Sequence, residues 1–164
     1  MLLLVEVEGA RWLADVGFGA DGLLLPVPLG AELESRQFAW TYRVKAPVPA
    51  GAGDAAVAAG SEWVLQSQRD EVWTDLYGFT LEPQLPVDYE IANHYTSTHP
   101  ESRFVTGLTI QSLAPERRIA LRNRELIVDS GLTMTTRTIA SDEEMRRVIE
   151  MTFGLPAPAD LRLP

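Results

Sequence analysis

From residue 2 to residue 80 the apolar side chains come in short runs broken by turn formers, and a chain patterned this way must bury them in strands. Residues 2 to 8 (Leu-Leu-Leu-Val-Glu-Val-Glu) and 11 to 16 (Arg-Trp-Leu-Ala-Asp-Val), split by Gly9-Ala10, predict a β-hairpin. The second run stops at Gly17-Phe18-Gly19, where two glycines let the backbone leave the strand and approach a neighbour closely. Phe38 to Val44 predicts another strand, with Phe38, Trp40, Tyr42 and Val44 on one face, and 62 to 69 and 71 to 80 predict two more. About five strands with turns between them close most naturally as a small barrel or strongly curved sheet. Residues 46 to 60 are low in complexity and without periodicity, which predicts a surface loop.

Beyond Pro83 and Pro86 the period changes. Val87, Ile91 and Tyr95 recur as on one helix face, predicting a helix over 87 to 98 that joins two subdomains. Strand candidates follow at 104 to 112, at 117 to 121 with 125 to 128, and at 134 to 139. Ser141 with Glu144 forms a capping box before the apolar stripe Met145, Val148, Ile149 and Phe153, and Gly154 and Pro156 end that helix. The expected class is α+β, in two domains: a β-barrel over 1 to 85, then a connecting helix and an α/β domain over 86 to 164.

With 164 residues, 46% of them hydrophobic, the chain can bury one ordinary core or two small ones. Its formal charge of -9 repels phosphate backbones and anionic lipid, so neither nucleic acid nor a membrane is expected as a partner. The opening Met-Leu-Leu-Leu-Val run is too short to span a bilayer and meets Glu6 and Glu8 at once, which predicts a cytoplasmic protein. There is no cysteine, hence no disulfide and no thiolate among these residues.

Asp15 is the strongest local candidate for chemistry, a carboxylate in an apolar strand beside two glycines. Buried charge is costly unless paired, so Asp15 either caps backbone amides at the strand end, the commoner outcome on physics alone, or orients a histidine in a nucleophile triad. His94 and His99 are five apart, on different helix faces, and with no cysteine and no third ligand in register no metal is expected. Arg117, Arg118, Arg122 and Arg124 fit a solvated hairpin face better than a phosphate site. Gly17-Phe18-Gly19 is too short for a dinucleotide fingerprint, and no phosphate-loop motif occurs.

The string Arg11-Trp12-Leu13-Ala14-Asp15-Val16-Gly17-Phe18-Gly19 resembles the hallmark segment of the arylamine N-acetyltransferases. It is joined, in the family's order, by Leu76-Tyr77-Gly78-Phe79-Thr80-Leu81-Glu82-Pro83-Gln84, by Asp88-Tyr89-Glu90-Ile91-Ala92-Asn93 with Tyr95 and Ser97, by Pro100-Glu101-Ser102-Arg103-Phe104, and by Arg122-Asn123-Arg124-Glu125-Leu126. The resemblance implies a cysteine-protease-like fold: a helical bundle, a β-barrel, an interdomain helix and an α/β lid. It also implies ping-pong acetyl transfer from acetyl-CoA to arylamines, hydrazines or arylhydroxylamines through a Cys-His-Asp triad.

Carried over by position, Asp15 is the triad carboxylate, Gly17 and Gly19 lie near the acyl and pantetheine end of coenzyme A, Phe18 walls the acceptor pocket, and Phe104 lines the coenzyme A cleft. The family's cysteine belongs to the helical bundle, and its histidine would fall at or just ahead of Met1. The expectation is therefore a truncated form, inactive alone, that exposes apolar surface and self-associates. The alternatives are a non-catalytic module binding coenzyme A or a partner, and an amide-synthase-like member of the same fold.

Overall fold

The structure, a computed structural model, describes residues 2–19, 21–30, 33–47, 61–158 and 160–161. The chain divides into two compact units, Met1–Pro83 and Gln84–Pro164.

In the first unit β1 (Leu2–Val7) and β2 (Ala10–Asp15) pair antiparallel with Val7 opposite Ala10. The turn residues are thus Glu8 and Gly9, both at positive φ (52° and 78°), one position earlier than Gly9-Ala10. That is the primed turn whose twist matches a two-residue hairpin. A short strand, β3 (Val27–Pro28), extends the sheet to β1-β2-β3. The second sheet has the order β4-β5-β6-β7, from β4 (Ser35–Gln37), β5 (Trp40–Lys45), β6 (Trp63–Arg69) and β7 (Val72–Phe79).

Leu13, Val27, Trp40, Tyr42, Val44, Trp63 and Leu65 from both sheets form one core. The expected closed barrel is not formed: among the described residues no ladder joins the two sheets. β3 pairs through two residues only, and Pro26 and Pro28 beside Val27 lack the amide that a continuing ladder would need.

Phe38 also departs from expectation. It occupies the turn before β5, at φ 59°, and is 50% exposed, while Gln37 and Trp40 point inward. Alternation holds for Trp40, Tyr42 and Val44, which β5 buries together. Of the low-complexity stretch, residues 48 to 60 lie outside the described residues.

The second unit opens with α1 (Pro86–Thr98), which has Pro86 in its first turn, where a missing amide costs nothing, and Asp88 accepting from the Leu85 amide. Its Val87, Ile91 and Tyr95 are 50 to 65% exposed, so the stripe that predicted the helix buries no residue. Ser102 then caps a single turn, α2 (Arg103–Thr106), by accepting from the Phe104 amide. The expected strand from Phe104 therefore begins only at β8 (Thr109–Leu113).

β9 (Arg118–Arg122), β10 (Glu125–Asp129) and β11 (Met134–Thr138) complete a sheet ordered β11-β10-β9-β8. Met145, Val148 and Ile149 of α3 (Asp142–Phe153) share a core with Ile119, Leu121, Leu126 and Ile139 of that sheet and its edge. Gly154 ends α3 in the left-handed conformation at φ 67°, as its place in the sequence predicts. Among the described residues, few helices and three sheets make a mixed α/β chain.

Candidate functional site

β2 delivers Asp15 to its last position, directly across from Leu2 of β1. There the chain turns away, and Asp15 Oδ1 accepts from the amides of Gly17 (2.9 Å) and Phe18 (3.2 Å). Gly19 follows at φ 103°, a conformation that strains any residue with a Cβ. The other carboxylate oxygen, Oδ2, accepts from the hydroxyl of Tyr77 on β7 at 2.7 Å. A register shift in the β6–β7 ladder, which leaves Leu76 without an opposite residue between Asp75 and Tyr77, immediately precedes it. Such bulges redirect the side chains that follow them.

Burial first, then the hydrogen bond to Asp15 and its charge, push the Tyr77 hydroxyl above the ordinary tyrosine range. Tyr77 therefore stays a donor, and the carboxylate is clamped by three donors, two amides of the loop after β2 and the hydroxyl on β7. The Phe18 ring packs 4.9 Å from that of Tyr77, tilted by 51°, and Phe79 lies 6.2 Å beyond. Leu2, Asp15, Gly17, Phe18, Tyr77 and Gly78 enclose an open pocket of about 280 Å³. A fixed carboxylate thus meets an aromatic wall and bare glycine backbone.

The structure brings Asp15, Gly17 and Phe18 together at this pocket; Gly19 follows in the same loop and is not part of the lining. Asp15 caps amides through one oxygen, the first of its two expected roles, and accepts from the Tyr77 hydroxyl through the other. Phe104 belongs to the second unit, 54% exposed, with the Arg103 guanidinium 4.9 Å from its ring centre. Nothing in the local pattern of β7 marks Tyr77 as a site residue. Its one signal in the sequence is its place in Leu76-Tyr77-Gly78-Phe79, part of a segment that carries the family resemblance.

The histidines also belong to the second unit: His94 lies within α1, and His99 at its end stacks on Tyr95 at 4.4 Å. Among the described residues no group of His, Cys, Asp or Glu could hold a metal, and no helix is long and apolar enough to cross a membrane. The arginines do not share one solvated face: Arg118 is buried, Arg124 pairs with Asp142 at 2.5 Å, and Arg117 and Arg122 are exposed.

A family described as N-acetyltransferase matches residues 1–162. The arylamine N-acetyltransferase of Mycolicibacterium smegmatis is 34% identical over 157 residues, 94% of this chain and 52% of that protein. The structure of the arylamine N-acetyltransferase from Mycobacterium abscessus superposes with a TM-score of 0.81 at 30% identity, covering 97% of this chain and 55% of its own. That of the Mycobacterium marinum arylamine N-acetyltransferase in complex with CoA gives 0.78 at 26% identity, covering 93% and 53%. The chain spans about half the length of the curated relatives it matches.

Proposed function

Because this chain belongs to the arylamine N-acetyltransferase family, we propose that it supplies the carboxylate and the pocket wall of an acyl-transfer site working between acetyl-CoA and an arylamine, hydrazine or arylhydroxylamine. The observation that carries this reading is the Asp15 carboxylate, held by Gly17, Phe18 and Tyr77 at the mouth of a pocket of about 280 Å³. A triad carboxylate must be fixed before it can fix an imidazole. The clamp leaves lone pairs of Asp15 open to one more donor beside Leu2.

In the proposed reaction a cysteine thiolate attacks the thioester carbonyl of acetyl-CoA and coenzyme A leaves as the thiol; the acceptor amine then attacks the enzyme thioester, the C–S bond breaks, and the acetylated amine and the cysteine thiol are released, the amine giving up one proton. An imidazole takes the thiol proton, and Asp15 holds that imidazole in the productive tautomer. These 164 residues hold no cysteine, and the family resemblance gives His94 and His99, in the connecting segment, no catalytic role. We therefore assign the thiol and the imidazole to residues outside them, and expect the 164 residues to be inactive by themselves. Gly17 and Gly19 would lie along the acyl and pantetheine end of coenzyme A, Phe18 against the acceptor, and Phe104 along the coenzyme A cleft. Residues 1–85 would act as the β domain of the site, and 86–164 as connecting helix and lid of a cytoplasmic enzyme.

The test follows thiol release from acetyl-CoA with an arylamine present, for these residues alone and joined to an upstream cysteine-bearing segment of the natural reading frame. Turnover in the joined form only, lost on Asp15→Asn, is the expected result. Absence of turnover in both forms would replace the transferase reading with a module that binds coenzyme A.

A further inference from the structure

Two polar side chains stand in the core of the first unit where apolar ones of the same shape would fill the space: Tyr42, with no exposed surface, and Gln37, 1% exposed. Burying a hydroxyl or an amide is costly unless it is bonded. Both side chains bond to one short segment, residues 21 to 25, just after the glycine loop. The Tyr42 hydroxyl donates to Gly22 O at 3.0 Å, with Asp21 O at 3.3 Å from it. Gln37 Oε1 accepts from the amides of Leu24 and Leu25, both at 2.9 Å, and its Nε2 donates to Leu25 O at 2.7 Å.

That segment is coupled to the pocket wall. The Gly22 amide donates to Gly19 O at 2.7 Å, and a Cβ on Gly22 would lie 2.8 Å from the same oxygen, so residue 22 has no room for a side chain. Asp15 therefore fixes the entry of the loop through Gly17 and Phe18, while the core fixes its exit through Gly22.

We propose that Tyr42 and Gln37 are positioning residues for the site: they hold the exit of the glycine loop so that Gly17 and Phe18 keep their places along the pocket. The functional part of this inference rests on the acyl-transfer reading above; the tether itself does not. A supporting shell of this kind separates a formed site from a loose one.

The test is Tyr42→Phe, which keeps the buried ring and removes only the hydroxyl, with Gln37→Met as a second variant, both in the full-length protein. Amide hydrogen exchange at Gly17, Phe18 and Gly22 is expected to speed up about fivefold or more, as losing one internal hydrogen bond predicts, while Val44 and Leu65 in the same core keep their rates. The KM for acetyl-CoA should rise with kcat little changed. Unchanged exchange at the loop in both variants, or an equal rise at Val44 and Leu65, overturns the tether. Faster loop exchange in an enzyme whose wild type shows no turnover would uphold the tether while the transferase reading fails.

Discussion

The Tyr77 hydroxyl donates to Asp15 Oδ2 at 2.7 Å across 62 residues of sequence, binding the end of one sheet to the bulged strand of the other. Since the folded protein raises the Tyr77 pKa, the neutral hydroxyl is preferred in the fold and the unfolded chain loses its proton first. The unfolded state then binds fewer protons than the native state above about pH 10, the ordinary tyrosine value, so stability falls as pH rises through that range. Urea denaturation between pH 9 and 11 checks this. Tyr77→Phe should flatten the alkaline decline and lower stability near neutrality by about 1.5 to 3 kcal/mol, the usual worth of a hydrogen bond to a charged group.

The β6–β7 turn carries a cost that sequence change can remove. Arg69 pairs with Val72, leaving Asp70 and Glu71 at φ 49° and 64°, two consecutive side chains in the left-handed region. The Cβ of each crowds the following carbonyl, and aspartate tolerates this better than glutamate because its short side chain can hydrogen-bond the nearby backbone. Glu71→Gly should therefore raise the urea midpoint, by about 1 kcal/mol of stability, without altering the slope. A lower midpoint would mean that the Glu71 side chain has a compensating role.

What the sequence disclosed follows from the range over which each feature is decided. The β1–β2 hairpin, the alternation from Trp40 to Val44 and the cap and stripe of α3 depend on neighbours within a few residues, and they appear as periodicity predicts, with the hairpin turn one position earlier and Phe38 outside the alternation. The inward Gln37 was not legible, because its partners at Leu24 and Leu25 are twelve or more positions away and polar type alone argues for the surface. Barrel closure is a property of ladders between distant strands, which no short stretch of sequence displays. Likewise Asp15 was visible as a carboxylate in an apolar run, but its clamp needed Tyr77, which only the fold brings near.

At α3 the Ser141 hydroxyl accepts from the Glu144 amide at 3.1 Å, and the Glu144 carboxylate accepts from the Ala140 amide at 2.9 Å and pairs with Arg137. Ser141→Ala should cost about 1 kcal/mol, the usual worth of an N-cap. The amide bond from Ala140, then Arg137, holds the Glu144 pKa below the usual glutamate range. Its contribution is present above the unfolded-state value and is lost as pH falls through the folded one. Glu144→Gln should therefore make the acid limb of a thermal stability profile shallower, whereas an unchanged limb would show that other carboxylates set it.

The outer face of β1 sets the behaviour of these residues in solution. Leu3, Val5 and Val7 are 41%, 40% and 52% exposed on one side of a strand that, among the described residues, is the edge of its sheet. Across from them stand Ala14, Trp12 and Ala10, so the apolar surface continues onto β2. An uncovered apolar edge strand pairs readily with another chain, while a net charge of -9 holds copies apart at low ionic strength. Salt shortens the range of that repulsion and leaves the apolar attraction in place. Light scattering on the 164 residues should thus show mass rising with concentration, and more steeply in high salt. Val5→Lys with Val7→Glu should suppress the rise; a monomer mass at every concentration and salt level would mean that this face is not adhesive.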